Sequence, residues 1–512
     1  MSKTIKYPRP NKTAAAEPIA ADLLSGEKLE HRRAEVNQAV KQACDYLNSD
    51  GVEPRNYVEQ LAWMFFLKAF DEAEAGRADM ALFEGHEINE RFEKKFRWST
   101  WTKLTDRPDE MLKFVNDELW PKLLNLGPDP VPQRFQRIFS TVRNYCRRGI
   151  IFAKVVEQVN RLHFSDRTDV HILSELYESL LKQVAADSAG YAGEFYSPRH
   201  IIRAMIQIVA PKIGDRIYDP CFGSAGFPAE SAAYIEQKSA SQYLSGEDLE
   251  RLHKATFYGV EFKPLSYLLG TMNMILHGIE SANFELANTL ELHTANVPEK
   301  NKYTVILANP PYGGKLDRSL QTNFTIHSGA TEILFVQHIM ANLAVGGRVA
   351  VIVPEGVLFR GGADAKVRER LLKEFNVHTV LSLPAGCFLP YAGVKTNVLF
   401  FNREKDGKTT ESVWFYELTN DGFELKQTRK PIEGDQLPDF LKKWVKRESG
   451  DNSWIVPLAE LEKRGWDLSA KNPKRAAEAD KRKPLELVEG IKAKQERIAA
   501  LADELEEVLT NE

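Results

Sequence analysis

Cysteine is scarce in this 512-residue chain, and the four present, Cys44, Cys146, Cys221 and Cys387, form no C-x-x-C pair. That scatter excludes a thiolate metal framework and a disulfide scaffold, and it fits reduced thiols in a cytoplasmic protein. The eleven histidines supply no H-x-x-x-H pair beside an acid, so no metal site is expected. No apolar run reaches about eighteen residues, and the N-terminus lacks an apolar secretion core. Neither export nor membrane spanning is expected. Basic excess is missing as well: 68 Lys and Arg against 72 Asp and Glu leave a net charge of −4. A chain that gripped a polyanion alone through a broad basic face would be more basic. Any nucleic-acid surface here is therefore local, or shared with a partner.

What is present divides the chain into stretches of different character. At this length two or three domains are the default. Residues 1–28 are small and polar, as in a flexible tail. Residues 29–185 follow a helical pattern, with Val36, Val40, Ala43 and Leu47 at helical spacing. Within it, 56–75 is apolar around most of its girth, so Trp63, Phe65, Phe66 and Phe70 are expected in a core. The arginines Arg143, Arg147 and Arg148 suit either phosphate contact or a solvated helix end.

From 186 to 425, β-branched runs at 216–220, 256–261, 303–312, 347–354, 377–384, 394–401 and 412–418 alternate with amphipathic stretches near 225–240, 263–278, 330–345 and 364–375. Strand–helix alternation with strands apolar on both faces predicts a doubly wound α/β sheet. Ligands of such sheets lie beyond the carboxyl ends of the strands. Residues 426–483, polar and dotted with tryptophan, are expected to extend from the sheet rather than join it. Over 484–512, Leu487, Ile491, Lys494, Ile498, Leu501, Leu505 and Val508 step by alternating fours and threes, a heptad seam with one polar interruption. Three heptads are marginal alone, so this helix packs on a partner chain or folds back on its own domain.

Three motifs end strands. Asn309-Pro310-Pro311-Tyr312 follows the apolar run 305–308. Methylating an amino group on a base requires acceptors on its N–H groups, which aim the nitrogen lone pair at the methyl donor. The Asn309 side-chain carbonyl and the Pro310 main-chain carbonyl supply such acceptors. Pro310 and Pro311 stiffen the loop, and Tyr312 offers a ring on which an extruded base can stack. No general base is needed before transfer when the donor carries the positive charge. Taken alone, a strand-ending turn with prolines explains the same four residues.

The second motif is Asp219-Pro220-Cys221-Phe222-Gly223-Ser224-Ala225-Gly226-Phe227. Gly223 and Gly226 allow close backbone approach to a nucleoside, and Asp219 can pair with an ammonium group. The spacing is not G-x-G-x-x-G, which argues against NAD or ATP. The third is Glu261, whose carboxylate can accept from ribose hydroxyls. Each is weak alone; their order along the chain is not explained by packing.

Together these motifs resemble those of N6-adenine methyltransferases. More narrowly, the chain resembles the modification subunit of type I restriction–modification systems from about residue 30 onward. The resemblance is carried by Y-V-E-Q-L, F-F-L-K-A-F-D-E, G-E-F-Y-S-P-R-H, D-P-C-F-G-S-A-G-F, N-P-P-Y-G, G-G-R-V-A-V-I-V-P-E-G-V-L-F, Y-A-G-V-K-T-N-V-L-F-F and W-D-L-S-A-K-N-P. It implies a Rossmann-like S-adenosylmethionine-dependent methyltransferase domain, a helical N-terminal domain and a C-terminal partner helix. It implies cofactor contacts from Phe195, Ser197, Pro198, Asp219, Gly223, Ser224, Gly226, Glu261 and Asn288, and base contacts from Asn309, Pro310, Pro311 and Tyr312. It also implies double-stranded DNA as substrate and a separate specificity subunit flanked by two modification subunits, which a restriction subunit can join.

Two positions depart from the family pattern. Ala225 stands where a second glycine is usual, and Asn288 where an aspartate near the cofactor adenine is usual. Two other readings fit parts of the pattern: a methyltransferase for protein glutamine or ribosomal RNA amino groups, and a catalytically silent assembly subunit.

Overall fold

The computed structural model describes residues 27–84, 93–125, 136–164, 197–239, 244–279 and 281–474, less isolated positions at 137, 141, 293, 295–296, 390–391, 427–428 and 470, together with short helical stretches between 488 and 501. Phe195 lies outside the described residues, as do Leu487, Ile491, Leu505 and Val508 of the terminal seam.

The N-terminal part is helical. Glu27–Ser49 and Gly149–Asn160 pack together, and Pro54–Glu84 runs beside both. In that long helix Trp63, Phe65, Phe66 and Phe70 are all at most 5 % exposed. Trp63 meets Trp120 edge-on at 5.2 Å between ring centroids and stacks on Phe152 at 6.4 Å. Lys68, only 6 % exposed, donates to the carbonyls of Val159 (3.1 Å), Asn160 (2.9 Å) and Leu162. It thereby satisfies acceptors that the end of helix Gly149–Asn160 leaves without intrahelical partners. The arginine cluster leads into a helix start: Arg148 is the N-cap of helix Gly149–Asn160, its Nε pairs with Asp50 at 2.6 Å, and the Arg147 main chain donates to the same carboxylate.

Among the described residues nine strands form one sheet in the order β3-β2-β1-β4-β5-β7-β6-β8-β9. They are β1 (Ile217–Asp219), β2 (Phe257–Glu261), β3 (Asn283–Leu286), β4 (Tyr303–Ala308), β5 (Leu343–Pro354), β6 (Asn376–Ser382), β7 (Thr396–Asn402), β8 (Ser412–Glu417) and β9 (Ser453–Pro457). Strands β1 to β5 are mutually parallel, β7 runs antiparallel between β5 and β6, and β8 is parallel to β6. All seven runs expected as strands are strands. β3 and β9 are additions, and β9 corrects the reading of 426–483: Ser453–Pro457 pairs antiparallel with β8 and is part of the sheet.

Helices cover both faces. Arg199–Val209, Gly226–Ser239 and Pro264–Leu276 lie with the core that also includes the N-terminal helices, and Thr331–Asn342 and Ala363–Glu374 lie on the other side. Helix Pro264–Leu276 also contacts helix Pro54–Glu84, joining the helical part to the sheet. This is the mixed sheet of the S-adenosylmethionine-dependent methyltransferase fold. The chain moves outward from β1 to β3, then returns to β4 on the other side of β1. That reversal opens a crevice at the carboxyl ends of β1 and β4, where ligands of open α/β sheets bind.

Candidate active site

The last residues of β1, β2 and β4 are Asp219, Glu261 and Ala308, so all three motifs emerge at one edge of the sheet. Asp219 is 2 % exposed, and its Oδ1 accepts from the Cys221 main-chain N–H at 3.1 Å. Among the described residues no cationic side chain pairs with it. Burial, with some repulsion from Glu261, pushes its carboxyl up to about 8. Such a group suits an incoming cation.

Glu261, 8 % exposed, accepts the Gly223 N–H at 2.9 Å on Oε2 and the Lys263 N–H at 2.8 Å on Oε1. These bonds fix the carboxylate at the mouth of the glycine turn. The neighbouring Phe262 is 66 % exposed, a large apolar ring left open beside the carboxylate.

The glycine turn is held by packing that no local motif announces. Phe222 stacks on Phe284 with ring centroids 4.0 Å apart. A Cβ on Gly259 would meet Phe222 at 2.7 Å, and one on Gly270 would meet the same ring at 2.6 Å and the Gly223 carbonyl at 2.7 Å. Both glycines are thus empty space for Phe222. Asn273 donates to the Ser224 carbonyl at 2.8 Å, and Gly226 opens helix Gly226–Ser239. Ala225 adopts φ +59°, a left-handed conformation that disfavours a Cβ. Its methyl is wholly buried in the core, so it does not narrow the crevice. Asn288 follows β3 and is engaged locally: Oδ1 accepts from Leu290 N–H at 3.2 Å and Nδ2 donates to Glu291 at 3.1 Å.

Asn309 lies across from this turn. Its main-chain N–H faces the sulfur of Cys221, a thiol that burial and then Asp219 and Glu261 push well above its ordinary range. Its side chain is held at both ends: Nδ2 donates to Ser197 Oγ at 2.9 Å, and Oδ1 accepts from the Tyr312 hydroxyl at 2.6 Å. Ser197 and Pro198 immediately precede helix Arg199–Val209, so Ser197 ties the start of that helix to the β4 loop. Pro310 is buried, whereas Pro311 and Tyr312 are half-buried. The Tyr312 ring meets Phe388 edge-on, 6.4 Å between centroids at 83°. Gly313, at φ +73°, donates to the buried Glu332 at 2.7 Å, which closes the turn behind the four residues.

The structure therefore brings Ser197, Asp219, Gly223, Glu261, Asn309 and Tyr312 together at one edge of the sheet, with Ser224 and Gly226 on the same turn and Asn288 just beyond β3. Sequence reasoning missed Phe222, Phe262, Gly259, Gly270 and Phe388. An exposed Phe beside a strand-end acid was a usable signal; the glycines act through contacts distant in sequence. No cluster of three or more His, Cys, Asp or Glu placed to hold a metal occurs among the described residues, and no described helix is long and apolar enough to cross a membrane.

A family model described as N-6 DNA Methylase matches residues 168–482, and one described as HsdM N-terminal domain matches 36–159. The chain is 33 % identical over 493 residues to the type I restriction enzyme EcoEI methylase subunit of Escherichia coli, covering 93 % of this chain and 97 % of that one. Against the EcoKI methylase subunit of Escherichia coli K12 it is 30 % identical over 450 residues, 83 % of this chain and 78 % of that one. Among solved structures, one concerning complex assembly and conformational transition of the type I R-M system superposes with a TM-score of 0.70 at 36 % identity, covering 95 % and 99 % of the two chains. A modification subunit from Vibrio vulnificus YJ016 superposes with a TM-score of 0.77 at 30 % identity, covering 90 % and 98 %. The family models and the relatives matched over most of their length agree: the chain belongs to the N-6 DNA methylase family, among the methylase subunits of type I restriction enzymes.

Proposed function

We propose that this chain transfers a methyl group from S-adenosylmethionine to N6 of an adenine swung out of double-stranded DNA, within a sequence read by a separate specificity subunit. The observation that carries the reading is the placement of the Asn309 side chain across one crevice from Asp219 and Glu261.

The donor set fits the cofactor: a desolvated carboxyl without a cationic partner for the ammonium end, a fixed carboxylate for ribose hydroxyls, and a turn that leaves room for a nucleoside. When bound, the cofactor supplies an electrophilic methyl on a positively charged sulfur. Asp219 would hold the ammonium group, Glu261 the ribose, Phe262 a face of the adenine, and Ser197 and Pro198 the near wall. Asn288 would reach the adenine only by exchanging its local bonds.

For the target base, Asn309 Oδ1 and the Pro310 carbonyl accept from the amino group, and Tyr312 stacks on the ring. Oδ1 already accepts one bond from the Tyr312 hydroxyl, and an amide oxygen has a second lone pair with which to accept from the amino group. Extruding the base costs a few kcal/mol, which contacts across the assembled complex offset. The near-neutral chain and its terminal helix suit a complex of two such chains with one specificity subunit.

The test is chemical. DNA incubated with the complex and S-adenosylmethionine is digested to nucleosides and analysed by mass spectrometry. N6-methyladenine is expected. Methyl incorporation into protein glutamine or ribosomal RNA without N6-methyladenine would overturn the substrate assignment, and absence of cofactor binding would overturn the enzymatic one.

A further inference from the structure

Asp421 lies just beyond β8 and is 1 % exposed. Several donors converge on its carboxylate. His200 Nε2 stands 3.0 Å from Oδ2, Arg429 Nη2 donates to Oδ1 at 2.6 Å and to Oδ2 at 2.5 Å, and the Cys387 thiol donates to Oδ2 at 3.2 Å. Arg429 also reaches the Cys387 carbonyl, and the Phe423 ring stacks on His200 with centroids 4.7 Å apart. Burial alone would push the carboxyl up; bonds from His200, Arg429 and Cys387 outweigh it and hold the group at about 2.

The partners come from separate stretches of chain, and two of them are the walls of the base slot. His200 sits in the first turn of helix Arg199–Val209, three residues after Ser197, which holds the Asn309 amide. Cys387 precedes Phe388, whose ring meets Tyr312 edge-on. One buried carboxylate therefore ties the Ser197–Asn309 wall to the Phe388–Tyr312 wall. An apolar contact would hold two segments together at least as stably as a buried ion pair. What it would lack is direction, and methyl transfer is sensitive to displacements of about an ångström.

We infer that Asp421 is a positioning residue for methyl transfer, holding the Ser197 and Phe388 segments on either side of the Asn309–Tyr312 loop by binding His200 on one side and Cys387 on the other. This rests on the base-slot reading given above. Asp421 is buried from solvent and acts through the residues it binds.

The experiment uses the full chain in the complex that methylates DNA, with single-turnover methyl transfer measured beside S-adenosylmethionine affinity and thermal stability. Cys387→Ala removes one donor and leaves the Asp421–Arg429 pair intact. A single-turnover rate roughly five- to fiftyfold lower is expected, with cofactor affinity within threefold and an unchanged melting temperature. Cys387→Ser keeps a donor and should recover most of the rate. Asp421→Asn should slow transfer at least as much, and adding Arg429→Gln, which removes the unpaired charge, should restore stability without restoring rate. The inference is overturned if Cys387→Ala transfers at the wild-type rate, or if rate and stability recover together in the double variant. A wild-type complex that makes no N6-methyladenine would sink the functional reading itself, a distinguishable outcome.

Discussion

In the function proposed here Asn309 presents a carbonyl oxygen to the target base, and that oxygen also accepts a 2.6 Å bond from Tyr312. The two residues therefore separate experimentally. Asn309→Ala removes the side-chain acceptor and should lower the methyl-transfer rate by on the order of a hundredfold or more, with complex assembly and cofactor affinity unchanged. Normal turnover in that variant would refute the role given to the side chain. Tyr312→Phe keeps the ring and frees the acceptor, so transfer should proceed at or above the wild-type rate. Tyr312→Ala loses base stacking, about 1–3 kcal/mol, and DNA binding that reports base extrusion should weaken accordingly. Asp219 sets a pH dependence. Its carboxyl is raised to about 8 without a ligand, so below that pH an arriving ammonium group must displace a proton. Cofactor affinity measured by calorimetry should rise with pH toward about 8 and level off above it, with proton release on the acid side. Asp219→Asn should flatten that slope. The same shift makes folding less favourable as pH rises from the unfolded carboxyl range toward 8, because the buried group must ionise in the folded state but does so freely in the unfolded one. Asn309, Tyr312, Asp219 and Glu261 were legible because each sits in a short linear pattern after an apolar run. The Ser197–Asn309 bond was not, since its partners lie 112 residues apart.

Elements were legible where side chains declare them. The seven strands foreseen are runs of valine, isoleucine and aromatics long enough to stand out. β3, N-F-E-L, has no β-branched residue, and its identity comes from pairing with β2. β9, S-W-I-V-P, is an edge strand that ends in proline and lies in polar surroundings. What recruits it is the neighbouring strand, through the Phe415–Trp454 stack at 5.5 Å and 8°. The support under the glycine turn was equally hidden, because two glycines from different elements make room for one phenylalanine. Gly270→Ala tests it. The added Cβ meets both the Phe222 ring and the Gly223 carbonyl, and overpacking of this kind costs about 1–3 kcal/mol. A lower melting temperature and weaker cofactor binding should appear together. Loss of stability with unchanged cofactor affinity would mean that Phe222 does not set the turn.

On the scale of the whole molecule, a net charge of −4 leaves much of the DNA grip to other chains. In the described part of the terminal helix Val488, Ile498 and Leu501 are 47 %, 66 % and 48 % exposed, apolar surface open to a partner chain. Replacing Ile498 and Leu501 with glutamate should abolish co-purification with a specificity subunit while sparing cofactor binding. A variant that still assembles would remove this helix from the interface.

The antiparallel strand β7 has its own consequence. Because it starts at the edge where β6 ends, residues 383–389 and 392–395 lie at the working edge, closed at the base by the Leu383–Thr396 bond of 3.0 Å. Phe388 is delivered to Tyr312 from that segment. Lengthening or reshaping it would alter the mouth that receives the nucleotide without moving a strand.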